Sequence, residues 1–316
     1  MIAQHVEMVI PKNGKFLGTM RIVKGEYLVS HPLSKSLYFR KTKKDQYLLY
    51  SNGSELLVFD KDTWEGTIIN SLPDLEKNSE LYKLLEESLF FERDGEIPCH
   101  NTKYLQILRT FIVILGIVSF TVIFTKIRSL SFLTYDFKNE NLTFVVLFAV
   151  VFSILTTIFH EIMHILFSNN FKGIAKSLRF SLKKSVATVN LTHVWFWPLF
   201  PRAIAILGGV ITDSIILASL FLASDRIASP LLTLFIYIML LRILWQFRLY
   251  NSTDGRLLLF MLIDNPLLKI EYEIERNSLS DSEKFLWRIC QVISTIITIV
   301  IYMIIIFFLL KIMRYI

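Results

Sequence analysis

The 316-residue sequence has only two cysteines, Cys99 and Cys290. They give no disulfide framework and no CxxC zinc knuckle. The first 25 residues contain no uninterrupted apolar stretch of signal-peptide length, so no cleavable signal peptide is expected. There is no internal repeat and no low-complexity tract. Acidic residues are scarce late in the chain. Residues 99–316 hold 12 Asp/Glu against 21 Lys/Arg, a net of +9, whereas residues 1–98 hold 15 against 13, a net of −2. The basic excess therefore belongs to the apolar part. Basic loops beside apolar helices are membrane-topology signals, and they argue against a nucleic-acid surface.

Apolar residues are abundant: 53% of the chain, with 26 Phe and a mean hydropathy of +0.50. Soluble proteins lie nearer 45–50%. After Glu96-Ile97-Pro98 there are five runs long enough to cross about 30 Å of hydrocarbon. They are about Gln106–Ile127, Leu142–Phe167, Leu199–Ala223, Pro230–Phe247 and Phe285–Leu310, while Leu257–Ile263 is too short to span. The expected fold is an α-helical polytopic membrane protein of about five transmembrane helices, with the lipid bilayer as a partner. Residues 1–98 form a separate small domain and residues 99–316 the membrane domain. With the N-terminus inside, the loop after the second span is also inside and carries Lys172, Lys176, Arg179, Lys183 and Lys184. The loop after the fourth span, with Arg248, Arg256, Lys269, Arg276 and Lys284, is inside too, as the positive-inside rule requires. Lys311 and Arg314 run mildly against it.

Within residues 1–98, Gln46–Tyr50 and Glu55–Asp60 are β-prone runs flanking Ser51-Asn52-Gly53-Ser54, and Asn-Gly is a hairpin signal. Asp62-Thr63-Trp64-Glu65 reads as a capping box opening a helix to about Leu72, ended by Pro73. A second helix, about Ser79–Phe90, places Leu81, Leu84, Leu85 and Leu89 on one face. The domain is thus expected to be α+β and cytoplasmic.

The second apolar run carries His160-Glu161-Ile162-Met163-His164. On a helix, two histidines four residues apart stand one turn apart on one face and can bind one Zn2+. Zinc lowers the pKa of its water toward neutrality, and the intervening glutamate, Glu161, can then take the proton as general base. Three ionisable side chains within one turn of an apolar helix are costly, which marks them as functional.

Zinc needs a third protein ligand and one open position. The acids near membrane level are Asp213 and Asp254. Counting 1.5 Å per residue from the inner helix ends puts His160 about 12 Å deep, His164 about 5 Å and Asp213 about 21 Å. Asp254 follows the fourth run and precedes the short Leu257–Ile263 stretch, so a fold-back would bring it to the level of the histidines. Depth favours Asp254. Asp213 then reads as a polar contact to a neighbouring helix, with a backup ligand as the alternative. Glu271, Glu273 and Glu275 lie in a charged stretch without a helical third-ligand pattern, and the extended HExxHxxGxxH form is absent.

An apolar helix with His160-Glu161-x-x-His164, followed by Asn251-Ser252-Thr253-Asp254-Gly255, resembles the site-2 protease family of intramembrane zinc metalloproteases. The resemblance covers about residues 142–263. It implies zinc on His160, His164 and Asp254, with Glu161 as general base. Gly208-Gly209 in the third run is similar to that family's glycine-containing core helix, although the family's usual Gly-Pro and the proline of its Asp-Gly motif are absent. The order of strands, hairpin, helix and helix in residues 1–98 resembles the winged-helix-like PqqD-like domains that recognise leader peptides. Together the two resemblances imply a zinc endopeptidase of the peptide-processing branch, acting on a membrane-associated peptide at maturation, leader removal or export. Two alternatives stand beside it: regulated proteolysis of a membrane-anchored protein, and a non-enzymatic immunity or transport-accessory protein.

Smaller signals have plain readings. His193-Val194-Trp195-Phe196-Trp197 reads as an interfacial aromatic belt, with substrate entry as the alternative. Arg242 and Arg248 read as side chains snorkelling to headgroups. Glu271–Glu275 reads as a solvated loop or short strand.

Overall fold

The structure is a computed structural model that describes residues 37–68, 71, 79–91, 97–100, 103–129, 141–171, 179–181, 186–188, 191–249, 253–274, 277 and 279–313. The chain divides into two compact units. The first is Met1–Cys99 with Asn190–Arg202 and Met261–Pro266, and the second is His100–Val189, Ala203–Phe260 and Leu267–Ile316. Hydropathy alone assigns the two short segments of the first unit to the membrane portion.

The first unit is built on an antiparallel sheet, β1 (Leu37–Lys41), β2 (Tyr47–Ser51) and β3 (Leu57–Phe59), in that order. Tyr38 pairs with Tyr50, and Leu49 with Leu57. The turn falls at Asn52-Gly53, where Gly53 takes a φ of 96°, a conformation that suits glycine. Ser54 Oγ fastens it by donating to Ser51 O and accepting from Ser51 N. Side chains alternate along a strand. Tyr47 and Leu49 therefore join Phe59, Trp64, Leu81, Leu85 and Phe90 in one core. Leu48 and Tyr50 face the other way, yet they are also buried, and Tyr50 stacks on Phe196 at 5.6 Å.

The helix starts differ from expectation by a few residues. Asp60, not Asp62, caps the first: its backbone is extended and its carboxylate accepts from Thr63 N at 2.7 Å, while Asp62 already lies inside the turn. The turn Lys61–Thr63 widens into a π-helical one, Trp64–Ile68. The expected end at Leu72 and Pro73 lies outside the described residues. Helix α1, Glu80–Glu87, is capped by Ser79, whose Oγ accepts from Tyr82 N. It ends before Leu89, which takes a left-handed φ of 65° and so leaves the helix face.

Residues 191–197 are not a headgroup-facing belt. Thr192–Phe196 is a 3-10 turn with His193, Val194, Trp195 and Phe196 buried in the first unit. Trp197 Nε1 donates to Pro98 O at 3.0 Å. The same aromatic composition that suits a headgroup layer also suits a protein core, and here it covers the second face of the sheet. Beside it lies a buried ionic cluster. Asp264, at a φ of 64°, pairs with Arg40 and with Arg202 (3.0 Å) and accepts from Lys43 N at 3.1 Å. Arg40 Nη1 also donates to Trp195 O at 2.7 Å.

The second unit is helical. Its elements are α2 (Lys103–Ser129), α3 (Leu142–Ser168), the hairpin β4 (Arg179–Ser181) and β5 (Val186–Thr188), α4 (Leu199–Ser224, from Ala203 onward), α5 (Pro230–Gln246), α6 (Asp254–Ile263), α7 (Leu268–Ile274) and α8 (Asp281–Met313). Among the described residues four helices, α2, α3, α4 and α8, are long and apolar enough to cross a membrane. The fourth expected span, α5, has 17 residues and is shorter than these. The Glu271–Glu275 stretch is not a loop or strand: α7 covers it to Ile274, and Glu271 is buried.

Helix α4 is the most buried of these four, with 67% of its apolar window buried against 17–28% for the other three. Phe111, Phe144, Phe148 and Ile296 on those three are exposed, a surface suited to hydrocarbon. Ile123, Leu217, Phe221, Ile236 and Met239 form one core of the unit, and Phe152 stacks on Phe235 at 4.1 Å. Asn141 caps α3 at its start by accepting from Thr143 N. At its end Asn169 turns the chain at a φ of 57°, and the Arg109 guanidinium donates to Leu166 O from both Nε and Nη2. Ser280 and Glu283 form a reciprocal capping box for α8.

Candidate metal centre

The site lies on the last turns of α3. His160 and His164, one turn apart, point their rings the same way, with Nε2 atoms 3.2 Å apart. Asp254, the first residue of α6, completes a triangle. Its Oδ2 is 3.0 Å from His160 Nε2 and 3.2 Å from His164 Nε2. Among the described residues this trio is the one group of His, Cys, Asp or Glu that could hold a metal ion.

The outer nitrogens decide what the inner ones can offer. His164 Nδ1 lies 3.1 Å from Ala205 O, and a carbonyl can only accept, so Nδ1 carries the hydrogen. His160 Nδ1 likewise donates to Asp213 Oδ2 at 2.8 Å. For neutral rings, both Nε2 atoms then present lone pairs, and so does the Asp254 carboxylate. Three lone pairs converging on one point repel unless a cation lies between them. A tetrahedral ion with bonds of 2.0–2.1 Å needs donor atoms about 3.3 Å apart. The observed edges of 3.0–3.2 Å fall within a few tenths of that, so the donor set fits such an ion.

Two glycine features make the triangle possible. A Cβ on Gly209 would stand 2.3 Å from His160 Nε2, and one on Gly208 would meet the Phe167 ring at 2.8 Å. The glycine pair lets the α4 backbone pass directly against the histidine turn. At the other corner, a Cβ on Gly255 would stand 2.5 Å from Gln246 O. Glycine after Asp254 therefore lets α6 begin against the end of α5. Thr253 Oγ1 accepts from Arg256 N there, and Asp254 N donates to Gln246 Oε1.

Burial is uneven. The side chains of His160 and His164 are 3% and 4% exposed, that of Asp254 19%, so the triangle opens on the aspartate's side. Glu161 is buried in the same turn.

The structure brings together His160, Glu161, His164 and Asp254, and it brings Asp213 with them. The depth count kept Asp213 apart, yet its carboxylate lies 2.8 Å from His160 Nδ1. Asp213 is fully buried and faces the His160 edge opposite the triangle. Arg242 does not snorkel: its Nε donates to Asp213 Oδ2 at 2.9 Å and its Nη1 to Thr157 Oγ1 at 2.6 Å. Arg248 stacks over the Trp245 ring at 4.2 Å. The one signal for the Arg242 contact is a lone cation in α5 and a lone anion in α4, two apolar helices that can neutralise each other.

Comparison with known proteins finds no matching family model, no similar curated protein and no similar solved structure.

Proposed function

We propose that the chain is a membrane-embedded zinc endopeptidase that cleaves a membrane-associated peptide. The observation that carries the reading is the triangle of His160 Nε2, His164 Nε2 and Asp254 Oδ2 beside Glu161. Two imidazoles and one carboxylate make the three-ligand set of a hydrolytic zinc site, which leaves a position open. When bound, zinc supplies Lewis acidity that polarises the scissile carbonyl and acidifies water.

The chain's own residues do the rest. His160, His164 and Asp254 hold the ion. Glu161 takes the proton of the attacking water and returns it to the leaving amine. Asp213 and Ala205 O fix the two rings through their outer nitrogens. A helical substrate must unwind locally, because intact helix hydrogen bonds hide its carbonyls.

In this reading α5 is a fifth, short span, and residues 1–98 are a cytoplasmic, PqqD-like domain that holds a substrate's leader. The whole is akin to the site-2 protease family's peptide-processing branch. The exposed apolar faces of α2, α3 and α8 support a bilayer around the site. The test is peptide cleavage in proteoliposomes by the wild type and by Glu161→Gln, using peptides encoded beside the gene. The reading expects cleavage by the wild type alone, and full activity in the variant would overturn it.

A further inference from the structure

Helix α5 contains one charged residue, Arg242, in an otherwise apolar sequence. A cation there is costly unless it is paired and needed. Its partners are specific. Nε donates to Asp213 Oδ2, and Nη1 donates to Thr157 Oγ1. Thr157 lies on α3, three residues before His160, and its own hydroxyl donates to Ser153 O at 2.8 Å. The hydroxyl hydrogen is thus engaged, and the oxygen's lone pairs are left for the guanidinium. Asp213 Oδ2 accepts from Arg242 on one side and from His160 Nδ1 on the other. A single guanidinium from α5 therefore ties the carboxylate of α4 to the helix that carries the histidines.

We propose that Arg242 is a positioning residue of the metal centre: it locks Asp213 in the orientation that aims His160 Nε2 at the ion. This rests on the metal reading above. Arg242 is not one of the three donors; it acts through Asp213. The planar fork is what the geometry uses, since its two nitrogens reach two acceptors on two helices. Lysine offers one nitrogen and can replace the charge but not the bridge. Carboxylates behind ligating histidines change metal affinity by about 10–100-fold when removed.

The test is the zinc dissociation constant of the full-length protein in detergent, measured by chelator competition. The variants are Asp213→Asn, Arg242→Gln, Arg242→Lys and the double Asp213→Asn/Arg242→Gln. Both single losses are expected to weaken zinc binding by about 10–100-fold. The double variant is expected to be no weaker than Asp213→Asn, because Arg242 has nothing left to hold. Lysine is expected to recover part of the loss. Should Arg242→Gln fail to fold, Thr157→Val carries the test: it removes one acceptor of the bridge and is expected to weaken zinc about 2–10-fold. Wild-type affinity in the Arg242 or Thr157 variants, or losses that simply add in the double variant, would overturn the proposal. A wild type that binds no zinc would instead overturn the metal reading itself.

Discussion

Asp213 Oδ2 stands 2.8 Å from His160 Nδ1, on the ring edge opposite the one that faces Asp254. The two aspartates are thus not rivals for one role. Asp254 faces the point where the three donors converge, and Asp213 holds a ring that faces it.

That division predicts different losses. Asp254→Ala removes a donor, and zinc binding should fall below detection in a chelator titration. Asp213→Asn keeps all three donors, and binding should weaken by about 10–100-fold. Equal losses in the two variants would mean that both carboxylates face the ion.

Gly209→Ala places a methyl group 2.3 Å from His160 Nε2, closer than real contacts allow. The ring must swing or the helices must part. Overpacking of this kind costs about 1–3 kcal/mol. Both the thermal midpoint and the zinc affinity should fall. A variant with wild-type affinity would show that the ring has room the structure denies it.

A further predicted loss concerns the first unit. Asp264 is buried between Arg40 and Arg202, all three in the first unit. Asp264→Ala leaves two guanidinium groups buried without their carboxylate, a change that costs about 3–5 kcal/mol. Denaturant unfolding in detergent measures it. A cost under 1 kcal/mol would mean that water reaches the pair.

Some of this was legible in the sequence. The histidine pair and Glu161 are contiguous on a helix, so spacing alone puts them together. Asp254 was legible because an Asp-Gly follows a span and precedes a run too short to be another. The Gly255 approach to Gln246 O supplies the reason for that pair. Asp213 was read as a polar contact to a neighbouring helix, and it makes two, to His160 and Arg242; its depth was overestimated, and Arg242 was assigned to headgroups. Depth counted along one helix ignores where its neighbour begins, and a side chain near a helix end has two exits, headgroup or partner. The Arg40–Asp264 contact spans more than 200 residues and leaves no local pattern. The burial of residues 193–196 was missed because aromatic composition does not distinguish a membrane interface from a core.

Chelation gives a reversible version of the same account. A strong chelator should abolish cleavage, and one equivalent of zinc should restore it, while magnesium should not, because a two-imidazole, one-carboxylate set suits zinc and not a hard oxygen-seeking ion. Restoration by magnesium alone would point to another site.

The most direct measurement is elemental analysis of the purified wild type beside Glu161→Gln and His164→Ala, paired with peptide cleavage by each. One zinc per chain is expected in the wild type and in Glu161→Gln, and none in His164→Ala. Cleavage at full rate is expected in the wild type alone, slowed by about 10²–10⁴-fold in Glu161→Gln and absent in His164→Ala. A wild type without stoichiometric zinc, or one that cleaves equally well after Glu161→Gln, would contradict the account.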